Sequence, residues 1–340
     1  MTKILKRSSF IFACAVSFCM ALLPSCSGGA SKPAETEQST APKSYQNGDL
    51  MVGGKKGEMW FQTYSGEKAF NGATFHFARD FYRGYAPVIK MVDGKELHGI
   101  INLKGEEVIK IEHPEPIDAY DNGYFQIGSM DKQGYLDSTG KLVIPMNYGR
   151  SKGVYDGLFV LQKGLNWGVV NANGQEVTPF IYTDAHGYAD NGLMMVEKKY
   201  KCGFIDREGK EVIPCSYESA TSFEQGVAIA RIGEKYGLID ATNQHITGFD
   251  FDEFKFETTS VEDAGSQTGY SNVGKRIITE GGYSVFRKGK MWGAVNPKGE
   301  IVIPFEFDYM GSADAMGVNV GLGKRRGTYD LEKKEVKWLD

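Results

Sequence analysis

The chain is poor in the residues that carry most side-chain chemistry. Its 340 residues include 5 histidines and 5 cysteines. His76, His98, His113, His186 and His245 stand apart, and none pairs with another His, Cys or carboxylate at metal-ligand spacing. There is no G-x-S-x-G, no H-E-x-x-H and no G-x-x-x-x-G-K-[ST]. The sequence therefore points to no metal, no cofactor and no catalytic residue, and a non-catalytic protein is expected. Basic runs are also missing. The formal net charge is −4, and an acidic chain without a basic run argues against a nucleic-acid partner. The one strongly apolar run, Phe10 to Leu23, is too short for a membrane span, which needs roughly 20 residues.

That run suits another purpose. Lys3, Lys6 and Arg7 precede it as a positive n-region, so residues 1–25 read as an export signal. It ends in Leu23-Pro24-Ser25-Cys26, which resembles the lipobox of bacterial lipoproteins, although Pro24 departs from the usual residue there. The resemblance implies a diacylglycerol thioether on Cys26, and two or three acyl chains would hold the protein on a membrane. Ser27 follows instead of Asp, which favours the outer membrane. Residues 26–47 are rich in Ser, Pro, Ala, Thr, Glu, Gln and Lys, too polar to order themselves, and read as a flexible tether. Removing the three basic residues of the signal makes the mature charge −7, since residues 1–25 hold no acidic residue. The remaining cysteines, Cys202 and Cys215, flank one hairpin, and export permits a disulfide between them or leaves them as small buried hydrophobes.

From residue 48 onward the chain repeats. Gly99, Gly134, Gly168, Gly203, Gly237, Gly293 and Gly327 are separated by 35, 34, 35, 34, 56 and 34 residues. A fixed period of this size marks a repeat architecture, and the 56 is one period plus an insertion of about 22. Three residues after each Gly stands Asn102, Asp137, Asn171, Asp206, Asp240, Asn296 or Asp330, whose side chains can bond the backbone two residues on and start a turn. Six after stands Gly105, Gly140, Gly174, Gly209, Asn243, Gly299 or Lys333, mostly types that accept positive φ. Pro145, Pro179, Pro214 and Pro304 end the strand that follows. Tyr148, Tyr182, Tyr217, Phe251 and Phe307 recur at fourteen as plugs between units. Near twenty-four a Gly opens a further strand, and a short Lys-rich or Gly-rich turn returns to the next unit.

The pattern over Lys163 to Pro179, Lys290 to Pro304 and Lys235 to Asp240 resembles the WG repeat, also called the KWG repeat, of bacterial proteins. The family is defined by its repeat and not by an activity, so the resemblance implies fold and no reaction. The expected fold is all-β: short antiparallel hairpins at a period of 34–35 residues. Seven units can be read, with Trp60 in the zero position of the weak first one. Gly48 to Val52 looks like a late strand without its hairpin, and Gly327 to Trp338 like a hairpin without its late strand. Such matching ends imply a closed, propeller-like ring with one sheet shared between the termini. The alternative is an open β-solenoid of stacked hairpins.

Among sites, the Val52-Gly53-Gly54-Lys55-Lys56-Gly57 stretch lacks the helix a phosphate loop must feed and reads as a return turn. The insertion at about 250–281 is the best binding candidate, since long loops on regular scaffolds often carry function. Asp250, Asp252, Glu253, Phe254, Phe256 and Glu257 mix aromatics with carboxylates there. The functional expectation is a cell-envelope lipoprotein serving as a binding scaffold for a protein or glycan, tied to the membrane through its lipid. The alternatives are an envelope hydrolase acting on polysaccharide or peptidoglycan through two facing carboxylates, and a structural envelope component.

Overall fold

The computed structural model describes residues 44–258, 275–314 and 317–339. The expected signal, Cys26 and the tether up to residue 43 lie outside these residues, as does the middle of the insertion. The described chain is all-β, with a single 3-10 turn at Phe70–Gly72 and no α-helix.

The fifth sheet shows how each is made. Asp184–Tyr188, Met194–Lys198, Lys201–Ile205 and Glu211–Tyr217 pair in chain order as an antiparallel meander. The second and third strands are apolar on both faces, as with Val196 and Phe204, because the fifth sheet lies between the fourth and the sixth. Eight antiparallel sheets follow one another, the first reduced to two strands, Leu50–Lys55 and Glu58–Thr63. The fourth and sixth have three regular strands, each completed by two isolated bridges: Trp167 to Tyr182 and Val170 to Glu176 in the fourth, Tyr236 to Phe251 and Ile239 to His245 in the sixth. In both, a threonine hydroxyl replaces part of the ladder: Thr178 Oγ1 accepts from the Val169 N–H and Thr247 Oγ1 from the Leu238 N–H, each at 2.9 Å.

The seven Asn/Asp turns form as the sequence implies. Each of Asn102, Asp137, Asn171, Asp206, Asp240, Asn296 and Asp330 accepts from the N–H two residues on. The residue at six is left-handed in six of them. In the last, Lys334 takes that conformation instead of Lys333. The aromatics at fourteen are plugs: Tyr148, Tyr182, Tyr217, Phe251 and Phe307 are all buried.

The expected sheet shared between the termini is not formed. Leu50–Lys55 pairs with Glu58–Thr63, and Gly317–Leu322 pairs with Arg325–Asp330, so each terminal hairpin already has its late strand beside it. The reason lies in phase. The sequence repeat was cut at the zero glycine, whereas the hydrogen bonds cut it at position fourteen, where the chain crosses to the next sheet. The late strand of one repeat and the zero strand of the next are joined by a tight turn and therefore pair. Seven core clusters join the eight sheets in sequence, first to second through seventh to eighth. Among the described residues no core cluster joins the eighth sheet to the first. The contents are ordinary: a fully buried Phe204 or Phe286 contributes about 2–3 kcal/mol.

The chain docks onto the body from just before residue 48. Tyr45 lies edge-on against Phe70 with ring centroids 6.0 Å apart, and Asn47 Oδ1 accepts from the Gly84 N–H at 2.7 Å. Cys202 and Cys215 are free thiols. Cys202 faces Tyr217 across the ladder and packs toward the sixth sheet, while Cys215 packs toward the fourth. A bond between them would have to pass through the sheet. Burial raises both thiols, Cys215 to about 11.

Candidate functional site

The insertion interrupts the seventh sheet between its first strand, Glu253–Lys255, and its second, Ser284–Lys288. It begins with a two-stranded ribbon, Glu257–Thr258 against Lys275–Arg276. Residues 259–274 lie outside the described residues.

The six residues singled out from sequence do not converge. Asp250 forms an ion pair with Lys288, and Asp252 with Lys235. Asp252 also accepts from the Gly289 N–H at 2.6 Å, and Glu253 pairs with Arg287 at 2.9 Å. These three carboxylates fasten the crossing from the sixth sheet to the seventh. The Lys235 ammonium holds the Asp252 carboxyl below its ordinary range. The other three stand at the root of the ribbon. Phe254 packs edge-on against Tyr236 and Phe256, at 5.2 and 4.9 Å between centroids. Phe256 is 41 % exposed. Glu257 accepts from the Glu280 N–H at 3.0 Å.

Sequence reasoning missed the residue that clamps the returning strand. Glu224, in the turn before the second strand of the sixth sheet, accepts from Arg276 Nε at 2.9 Å, from the Ile277 N–H at 2.8 Å and from the Ile278 N–H at 3.3 Å. No local spacing announces a contact across 52 residues. It also missed the treatment of the tryptophans. The chain has 4 tryptophans, and each carries a cation over its ring: Lys68 on Trp60 at 3.8 Å, Lys152 on Trp167 at 5.0 Å, Lys255 on Trp292 at 4.2 Å and Arg325 on Trp338 at 4.1 Å. Lys255 further donates to the Met310 carbonyl at 2.6 Å, and its burial lowers its pKa. A signal existed for two of them: Lys152 precedes Trp167 by 15 residues, and Lys255 precedes Trp292 by the same interval plus the insertion of about 22.

The first strands of successive sheets carry a second polar row. Arg79 pairs with Asp118 at 2.7 Å and Lys152 with Asp184 at 2.9 Å. His186 has Nδ1 3.4 Å from Ser222 Oγ and Nε2 4.0 Å from Asp184 Oδ2. Burial lowers the pKa of His186, and also of His98. A hydroxyl, an imidazole and a carboxylate in line invite comparison with a nucleophile and its base. The distances exceed the roughly 2.6–3.2 Å of an engaged relay, and Asp184 is held by Lys152. The row ties sheets together more than it prepares a reaction. Among the described residues no group of three or more His, Cys, Asp and Glu is disposed to hold a metal ion.

Four stretches, residues 134–164, 167–202, 203–236 and 292–313, match the family model described as WG containing repeat. The chain thus carries WG-containing repeats over these four stretches. No curated protein matches the chain. Similar solved structures include Kluyveromyces lactis Hsv2, at 8% identity over 76% of this chain and 94% of that one with a TM-score of 0.36. A eukaryotic initiation factor is similar at 9% identity over 81% and 79%, TM-score 0.39. A Bacteroides caccae protein of unknown function is similar at 12% identity over 58% and 91%, TM-score 0.24.

Proposed function

We propose that this chain of WG-containing repeats is a cell-envelope lipoprotein, anchored through Cys26 in the outer membrane, that acts as a non-catalytic binding scaffold for a protein or glycan partner. One observation carries the reading. The fold uses its repeated positions on itself: Asn and Asp side chains cap turns, aromatics plug sheet interfaces and tryptophans lie under cations. The insertion alone departs from the period, and it is clamped at its root by Glu224 while presenting Phe256 to solvent. A fixed root beneath a long segment is how regular scaffolds display a contact surface.

The test is capture from an envelope extract by the full chain and by a form lacking Thr258 to Lys275. The reading expects a partner held by the first and lost by the second. Equal capture by both would move the contact to the sheets, and capture by neither would sink the scaffold reading.

A further inference from the structure

In every sheet after the first the second and third strands meet in a short tip, and in the two-stranded first sheet its only two strands do. The eight tips are residues 55–58, 92–95, 129–132, 163–166, 198–201, 232–235, 288–291 and 322–325. Antiparallel pairing puts the tips at one end of their sheets, and the Asn/Asp turns at the other. Neighbouring sheets keep the same sense. The turn glycine of one sheet lies against the last segment of the sheet before it at interface after interface, as with Gly140 on Ile109, Gly209 on Val177 and Gly299 on Ile246. At the other end Lys56 of the first tip pairs with Glu96 beside the second at 3.5 Å. The tips therefore share one end of the body.

That end is chemically unlike the rest. The tips hold thirteen Lys or Arg against four Asp or Glu, in a chain of net charge −4. Acids at the crossings take up part of the charge, Glu218 on Lys201 and Asp252 on Lys235. Lys95, Lys132, Lys199, Lys290 and Lys324 are exposed and form no ion pair among the described residues. The turns at the far end are mixed in charge: Asp137, Asp156, Asp190, Asp206 and Glu224 stand there with Arg83, Lys104, Arg207 and Lys298, and Asp156 pairs with Arg207. Six of the eight tips also expose an apolar side chain, and the most exposed stand on three consecutive sheets: Met130 at 72 %, Leu165 at 88 % and Tyr200 at 85 %.

The fifth tip is strained for this display. Lys199 and Tyr200 are both left-handed, at φ 53° and 61°. A two-residue turn of this kind favours Asn-Gly, and side chains with a Cβ occupy that region at a cost. The corresponding tips of the fourth, sixth, seventh and eighth sheets have a single left-handed residue, and it is a glycine: Gly164, Gly233, Gly289 and Gly323. The fold would be served by Gly here, yet it carries a tyrosine pointed at solvent.

We propose that the tips of the third, fourth and fifth sheets dock on an anionic lipid membrane. Met130, Leu165 and Tyr200 stand singly, each in a separate short turn between two strands. They suit a soft surface, where Met130, Leu165 and Tyr200 enter the boundary between headgroups and acyl chains. The flanking lysines meet the anionic headgroups. The ribbon Glu257–Thr258 with Lys275–Arg276 leaves the seventh sheet between its first and second strands, at the end opposite the tips, so this docking leaves the root of the insertion on the side away from the bilayer. The proposal shares with the scaffold reading only the presence of a membrane.

The experiment places one added tryptophan in the full chain at the tips, Tyr200→Trp or Leu165→Trp, or at the far end, Asn173→Trp. Emission is read with vesicles of phosphatidylglycerol and phosphatidylcholine, and with phosphatidylcholine alone. The N-terminal segment is common to all versions, so the difference between positions is what counts. The tip tryptophans are expected to shift blue and to be quenched by brominated lipid on anionic vesicles, with no change at 173. Lys163→Glu, Lys198→Glu and Lys199→Glu together should lower the membrane-contacting population by on the order of 100-fold. Replacing Lys199 by Asn and Tyr200 by Gly should raise the unfolding midpoint while weakening the vesicle contact, which separates docking from folding. Equal responses at 173 and 200, indifference to charge reversal, or the same shift with soluble polyphosphate would each overturn the proposal. Partner capture that persists without lipid contact would remove this inference and leave the scaffold reading standing, and the converse holds too.

Discussion

Glu224→Ala tests whether the root of the insertion is held by one side chain. The carboxylate accepts one guanidinium N–H and two backbone N–H groups, from Arg276, Ile277 and Ile278. A hydrogen bond to a charged group contributes roughly 1.5–3 kcal/mol. Here Arg276 and Glu224 are partly open to water, at 38% and 23% of their side-chain surface, so screening reduces the pair. The 3.3 Å bond is long and adds little. About 2 kcal/mol for the clamp as a whole is the resulting figure. If the returning strand opens locally, that corresponds to roughly 30-fold faster amide exchange. Hydrogen exchange read by mass spectrometry over residues 275–283 measures it. Glu224→Gln retains a neutral acceptor and should lie between the two. An increase below about threefold, or an equal increase across all sheets, would refute the assignment of the clamp to Glu224.

Thr178→Val keeps the shape but removes the acceptor for the buried Val169 N–H, and should cost about 1–3 kcal/mol in denaturant unfolding. A change within a few tenths would mean that water or backbone replaces the hydroxyl. The Asp137 carboxyl is held low chiefly by the Thr139 hydroxyl, then by backbone N–H groups. Its folded value is the lower one, so its contribution is present above the unfolded pKa and is lost as pH falls below roughly 4. NMR titration should show that Thr139→Ala moves the Asp137 midpoint upward, and no movement would contradict the bond. Cys202 and Cys215 should remain unlinked under mild oxidation, and both should alkylate slowly at neutral pH because burial disfavours the thiolate. Recovery of a linked peptide would contradict their placement on opposite faces.

The local parts of this protein were legible in its sequence, and the reason is range. An Asn or Asp that bonds the N–H two residues on, with a Gly three further, determines its turn without help from the rest of the chain. All seven turns formed as read, except that the last shifted its left-handed residue to Lys334. The buried aromatics at fourteen followed from their period alone. The sheet boundary did not, because a repeat has no inherent starting point and only hydrogen bonding across the tips decides which strands share a sheet. For the same reason Cys202 and Cys215 looked adjacent in a hairpin while the fold sends them to opposite faces. The candidate carboxylates Asp250, Asp252 and Glu253 drew attention by composition, and the tertiary structure uses them on Lys288, Lys235 and Arg287. Glu224, distant in the chain and plain in the sequence, became the clamp because packing of the sixth sheet against the seventh brings it under Arg276. Turn geometry is written in neighbours a few residues apart, whereas the partner of a charge depends on which surfaces meet once the sheets have stacked.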